Sequence, residues 1–520
     1  MEKSGKRLNS IYKNTVFGTI NLILSLILNF LSRKLFLVNI GIEYLSVNQI
    51  ISNILVVLSF AETGISGAVL FYLYKPIAEE DEDTICSVMK LYRNINWLLG
   101  FCLFGVGVCL IPFLHLFINV NGVSVQYIIL IYLLYLFDSS FNYFYSYRNV
   151  VFFADQKAYV PSQISAIISL IRLVVQCAII YYTQNYFYYL IVTILLDLLN
   201  SVTCYWMAAK YYPYLLIKKV HDVVPEVKNK IVRSFKSLLV INLSNATISN
   251  TDNILISWIS TIMVGYCANY ISVTSALEVL MQNMYNSLIH SLGNYSIDRS
   301  SQDNLDMFHH VVYINHYIVS ASTICVAVLI NDFIEIIFGK EYLLAPVITV
   351  SIILKYYWRL ANFPLRVYRD SNGLFKQTQM IMIFDAIANI ILSIILGKLV
   401  GVAGVYYGTV LSDLVTFFIF GSRVVYKSLF NKNNSNEYFI DQIIWILFTS
   451  VVLGIAFFVS KGIPVSFLGF IIKGLLCVTV FIAMTWIIWH SNKEYQFALN
   501  LLKNSIMKHF RKRQLENDEH

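Results

Sequence analysis

Nine ionisable residues, Glu62, Asp138, Arg172, Asp197, Asp252, Glu278, Lys355, Asp385 and Asp413, lie inside stretches that are otherwise apolar. Charges at membrane depth are costly, so they pair with one another, line water or carry ions and substrates. Arg172 and Asp197 stand on consecutive antiparallel stretches at similar distances from the turn that joins them, and Lys355 and Asp385 are placed alike further on. Each couple is expected to form a buried ion pair or a gating contact, because a lone charge there is expensive. Glu62, Asp138, Asp252 and Glu278 have no such neighbour in the sequence and are candidates for coupling to a proton or a sodium ion. A carboxylic acid kept neutral by desolvation is the alternative.

Asn14, Gly18, Asn21, Ser25, Asn29 and Ser32 step by three and four, which gathers them on one helical face. Asn242, Asn245, Ser249 and Asp252 do the same later in the chain. Asn21, Ser25, Asn242 and Asn245 are therefore candidate substrate contacts, with Asp252 adding a charge to a wet cavity in the second half. Close helix packing glued by amides and hydroxyls is the competing explanation.

The elements that hold these residues follow from composition. The chain of 520 residues is 58% hydrophobic and only 13% charged, with a mean hydropathy of +0.65. Runs long enough to cross a hydrocarbon core of about 30 Å recur along it, about fourteen in all. Backbone groups in lipid must be satisfied within each segment, which leaves helices. Spans are expected near 14–36, 43–72, 94–118, 125–147, 158–182, 187–210, 236–258, 262–290, 311–338, 342–366, 376–397, 402–424, 441–460 and 464–489. The first apolar run is too long for a cleavable signal, and no small-residue cleavage site follows it.

Lysines and arginines concentrate in alternate loops and both ends, so both termini are expected in the cytoplasm. The net charge of +8 reflects that asymmetry rather than nucleic-acid binding. The eight cysteines are scattered, with no CxxC and no Cys/His grouping, so no metal site is expected. No P-loop, HExxH or GxSxG occurs, and no loop is large enough for a catalytic domain, so the chain is not expected to be an enzyme or to need a cofactor. Asp81-Glu82-Asp83 formally reads as a DxD sugar-nucleotide motif, but it sits in a short loop with no nucleotide-binding domain around it.

A short repeat, Ile20-Asn21-Leu22 against Ile241-Asn242-Leu243, puts a polar-striped helix at the head of each half. Six spans separate the two heads, so the halves are parallel repeats related by an axis along the membrane normal.

Longer stretches carry a resemblance. FAETGISGAVLFYLYKPIAEED (Phe60–Asp81), FFADQKAYVPS (Phe152–Ser162), TDNILIS with VGYCANY (Thr251–Tyr270), SLGNY (Ser291–Tyr295), FGKEYLLAPVI (Phe338–Ile348), and GLFKQTQ with NIILSIILGKLVGVAGVYYGTVLSD (Gly373–Asp413) resemble the polysaccharide biosynthesis, or Wzx-type, flippases. These are similar to the multidrug/oligosaccharidyl-lipid/polysaccharide exporter superfamily. The resemblance implies an all-α polytopic fold of two six-helix lobes plus two further helices: a first lobe over 1–210, a basic linker over 211–235, a second lobe over 236–430, extra spans over 431–490, and a basic amphipathic tail over 491–520. It also implies a bacterial inner-membrane flippase for undecaprenyl-diphosphate-linked oligosaccharide, working by alternating access in O-antigen, capsule or exopolysaccharide assembly beside a polymerase and related proteins. Arg33, Arg148 and Arg359 become the candidates for pyrophosphate contact, against the simpler role of anchoring helix ends. A cation-coupled small-molecule antiporter and, less well matched, a membrane glycan polymerase are the alternatives.

Overall fold

The structure is a computed structural model and describes residue 18 and residues 24–118, 123–216, 221–297 and 299–500. Helices account for almost all of it, and no strand occurs among the described residues. In chain order they are α1 (24–39), α2 (Ile42–Leu58), α3 (Phe60–Glu79), α4 (Glu82–Leu110), α5 (Val125–Ser146), α6 (Asn149–Ala154), α7 (Tyr159–Thr183), α8 (Tyr186–Tyr211) and α9 (Pro225–Ile259). They continue with α10 (Thr261–Ile297), α11 (Ser301–Ile337), α12 (Pro346–Ala361), α13 (Phe363–Ser371), α14 (Phe375–Val400), α15 (Val402–Asp413), α16 (Ser422–Phe430), α17 (Asn436–Ser460) and α18 (Phe467–Trp489).

Nine of the described helices are long and apolar enough to cross a bilayer, and the chain is a multi-pass membrane protein. The other expected spans are α1, described from residue 24 onward, α2 with α3, α9, α10, and α12 with α13. The α2–α3 span is interrupted at Ser59, whose freed carbonyl accepts the Tyr143 hydroxyl at 3.2 Å. α12 has only 16 residues, and its continuation α13 carries Arg366, Arg369 and Asp370. α9 carries Asn242, Asn245, Asn250, Asp252 and Asn253 within its expected span.

Several helices begin about three turns before the expected span, because hydropathy marks the hydrocarbon while helical hydrogen bonding runs on until a cap stops it. α4 starts after Asp81, whose carboxylate accepts the Thr84 amide at 3.0 Å and its hydroxyl at 2.6 Å. Those bonds from Thr84 hold the Asp81 carboxyl below its usual range, so the formal DxD motif is a helix cap. Ser300 and Asp303 form a capping box ahead of α11. Pro225 opens α9 inside the segment expected to be linker, where an N-terminal proline costs no hydrogen bond.

The contacts divide the chain into two compact units, Met1–Ala268 and Asn269–His520. In the first, α9 packs on α2 and α3, α5 on α4 and α8, and α7 on α8. α9 thus belongs by contact to the first unit, one helix beyond the division expected at the basic linker. At one end Tyr92, Tyr147, Phe152 and Tyr212 form a buried aromatic core. There Asp155 takes a hydrogen bond from the Tyr212 hydroxyl at 2.8 Å and an ion pair from Lys157 at 2.7 Å. Lys90 bonds Asp222 at 2.8 Å and lowers its carboxyl pKa, tying the segment before α9 to α4.

In the second unit α14 and α15 form a close hairpin in which Asn389 donates to Thr409 and Ser393 to the Val405 carbonyl, each at 3.0 Å. Gly408 lets the Ser393 backbone sit where a Cβ would be. α18 exposes most of its surface and buries one stripe, Gly469, Lys473, Cys477, Phe481 and Thr485, against α11. That four-residue step is the narrow face of a helix attached along one side.

Candidate functional site

α1, α7 and α8 enclose a cavity of about 370 Å³ in the first unit. Each helix supplies side chains at helical spacing: Ser25, Asn29 and Ser32 from α1; Ser169, Arg172 and Gln176 from α7; Tyr189 and Thr193 from α8. Part of the wall is already wired, since the Ser32 hydroxyl donates to Gln176 Oε1 at 3.1 Å and Gln176 Nε2 donates to Thr193 Oγ1 at 2.8 Å. Asn29 is exposed to the cavity and Ser169 half exposed.

Arg172 is the charged residue in the described lining, and its Nη2 is ion-paired to Asp197 Oδ1. The two side chains keep 30% and 38% of their surface open, so the pair has room to exchange partners. Asp138 of α5 lies within electrostatic reach of both, which gives a coupling candidate a neighbour that the sequence does not show. Two carboxylates therefore face one cavity guanidinium.

Arg33 follows Ser32 on α1 and sits beside Tyr189, outside the described lining. Arg148 is 6% exposed, with its guanidinium carbon 3.7 Å from the Tyr205 ring centroid and 5.9 Å from that of Tyr147. It is held in the aromatic core rather than reaching to an interface. Asp252 is 2% exposed and engaged by neighbours, so here it sits inside the packing rather than on the wall of an open cavity. Asn242 and Asn245 on α9 are half-buried. Asn21, the side chain of Glu62 and the tail beyond residue 500 lie outside the described residues.

In the second unit Glu278 and Arg359, expected in different roles, approach one another, with Arg359 Nε 3.5 Å from Glu278 Oε2. Arg366 acts electrostatically on Asp385, and Lys355 Nζ lies 5.3 Å from the Tyr406 ring centroid. α12 ends at Ala361 and the chain restarts as α13, which carries Arg366 to the Asp413 carboxylate.

Two arrangements escape the sequence reading. Asp413 accepts hydrogen bonds from Trp358 Nε1 at 2.8 Å, Asn362 Nδ2 at 3.2 Å and Arg366 Nη2 at 2.7 Å. Asn362 passes the network on by accepting the Tyr438 hydroxyl at 3.1 Å. Immediately after Asp413 the helix widens into a π-helical segment, Leu414–Gly421, a distortion common at functional positions. Second, Lys473 of α18 and Asp332 of α11 form an ion pair at 2.6 Å with each side chain only 10% exposed. The lone lysine in the last span is the available signal.

No group of three or more metal-ligating side chains occurs among the described residues. A second cavity, about 450 Å³ between α11, α12 and α17, is apolar, with Ile353, Leu354, Leu453 and Phe457 in its wall.

Fold and cavity together define an all-helical, multi-pass membrane protein with a polar chamber inside one bundle. Known structures share that architecture. The chain is similar to the lipid II flippase MurJ in an inward-closed conformation, with a TM-score of 0.64 and 16% identity over 92% of this chain and 99% of that one. It is also similar to an inward-facing multidrug resistance MATE family transporter of the MOP superfamily, at TM-score 0.59 and 14% identity over 78% and 96%. A mutant form of the Vibrio cholerae MATE transporter VcmN gives a TM-score of 0.57 and 12% identity over 84% and 100%. At these identities the likeness shows the fold alone. No protein-family model matches the chain, and no curated protein matches it by sequence.

Proposed function

We propose that the chain is a flippase that carries undecaprenyl-diphosphate-linked oligosaccharide from the cytoplasmic to the outer leaflet of the bacterial inner membrane, by alternating access. The observation that carries this reading is the chamber of amides and hydroxyls between α1, α7 and α8, in a fold matched over nearly its whole length by a lipid II flippase. A hydroxylated headgroup needs hydrogen-bonding walls to cross hydrocarbon, since every unpaired polar group there is penalised. Both termini face the cytoplasm in this reading, and the cargo feeds surface-polysaccharide assembly, as O-antigen, capsule or exopolysaccharide, alongside a polymerase.

Ion coupling falls to the carboxylates. Asp138 stands beside the Arg172–Asp197 pair, where a proton or sodium ion would release Arg172 by neutralising its partner. Asp252 and Glu62 are the further candidates, whereas Glu278 has Arg359 as a standing partner.

The MATE likeness supports a second reading, a cation-coupled antiporter for small molecules. One experiment separates the two. Deleting the gene should strand lipid-linked repeat units on the cytoplasmic side and remove surface glycan; persistence of surface glycan with raised sensitivity to cationic compounds would establish the antiporter instead.

A further inference from the structure

Resting on the flippase reading, we infer that the first-unit chamber receives neutral sugar residues of the cargo, one or two at a time, and excludes its pyrophosphate. Three observations converge. The first is size: about 370 Å³ lies near the lower end of roughly 300–1,000 Å³ for small-molecule sites, too small for a whole repeat unit with its diphosphate.

The second is charge. Arg172 is the charged residue of the described lining and is bound to Asp197, while Asp138 adds a second carboxylate within reach. A pyrophosphate would have to strip Arg172 from Asp197 and would then stand within reach of two carboxylates, an unfavourable like-charge arrangement. A neutral sugar leaves the pair intact.

The third is hydrogen-bonding chemistry. Sugar hydroxyls both donate and accept, and the wall offers matching bifunctional groups: Asn29, Ser169, Ser32, Gln176 and Thr193. Tyr189 adds an aromatic surface for the apolar face of a sugar ring. Serine, threonine and carboxamide side chains bring no net charge, so the site reads hydroxyl pattern rather than anionic groups.

The test uses the full chain in lipid nanodiscs and saturation-transfer NMR with N-acetylglucosamine, glucuronic acid and inorganic pyrophosphate as separate probes. N-acetylglucosamine should give a signal that pyrophosphate does not displace. It should fall by about two- to tenfold in Gln176→Leu and in Ser169→Ala, the weight of one hydrogen bond; either variant alone suffices should the other not fold. Displacement by pyrophosphate, a stronger signal from glucuronic acid, or no signal from any sugar would overturn the inference. The flippase reading is judged separately, by where lipid-linked repeat units accumulate in the deletion strain, so either can fail without the other.

Discussion

The two cavities have opposite chemistry. The chamber between α1, α7 and α8 is walled by hydroxyls and amides beside the partly open Arg172–Asp197 pair; the groove between α11, α12 and α17 is walled mostly by aliphatic and aromatic side chains. Polar groups are present in the groove too, and several are engaged: Thr449 donates to Ser320 at 2.7 Å, Asn331 accepts from Tyr270 at 2.8 Å, and Trp358 donates to Asp413. The charges follow the same division. Arg172 and Asp197 keep 30% and 38% of their surface open, whereas Lys473 and Asp332 keep 10% each. Residue type therefore does not define role here. An open pair can trade partners, while a closed one fixes two helices in place.

The sharpest way to break that contrast is to treat the closed pair as though it were open. Lys473→Leu leaves Asp332 charged in the α11–α18 seam, and removing one partner of a buried pair costs about 3–5 kcal/mol. Thermal unfolding in detergent should show a large drop for the single variant and near-recovery for Lys473→Leu with Asp332→Leu. A single variant as stable as the parent would mean that water reaches the seam.

Asp413→Asn should come next. Its carboxylate accepts three hydrogen bonds, and an amide can offer only one oxygen, so a nitrogen is turned toward a donor. The expected loss is about 2–3 kcal/mol, the weight of a hydrogen bond to a charged group plus one left unmade. Asn362→Ala should lose a comparable amount, because it removes a donor to Asp413 and the acceptor of the buried Tyr438 hydroxyl while leaving the Arg366 pair.

What can be read from the sequence divides along the same line. The α1 stripe is visible because period alone places Ser25, Asn29 and Ser32 on one face, and they line the chamber. Arg172 and Asp197 can be matched because a single tight turn separates α7 from α8, so distance along the chain measures depth. Lys473 and Asp332 cannot, since 141 residues intervene and nothing in the sequence says that the last helix docks on α11. Arg366 reads as a charge at a span's end because an apolar run does not reveal the break at Asn362. Helix starts extend beyond the hydropathy boundary for a related reason: caps such as Ser300 lie in polar sequence that hydropathy ignores. Composition thus reports what meets lipid, and long-range packing decides which charges meet each other.

The open pair should respond differently from the closed ones. Arg172→Leu is expected to change stability by no more than about 1 kcal/mol, as for other partly exposed pairs. Export should nevertheless fall, since Asp197 and Asp138 lose the guanidinium that lies within reach of both. Neutralising both members, as Arg172→Leu with Asp197→Leu, should export better than either single variant if their coupling is what matters. Additive losses in export would show that each acts alone.

The smallest structural effect should come from Asn29→Leu. Its side chain is exposed to the chamber, and changes at such positions usually stay within about 0.5 kcal/mol. If the chamber holds cargo, unfolding should be unchanged while export declines, because a leucine there removes a donor and an acceptor and fills part of the space. A matching apolar change in the groove, Thr449→Val, should behave in reverse: it breaks the bond to Ser320 at a cost of about 1 kcal/mol and leaves the groove's surface nearly as apolar as before. Opposite rankings of the two variants, by stability and by export, would assign handling of polar cargo to the first cavity and packing to the second. Equal export losses would mean that both cavities serve the transported molecule, the chamber its polar part and the groove its apolar part.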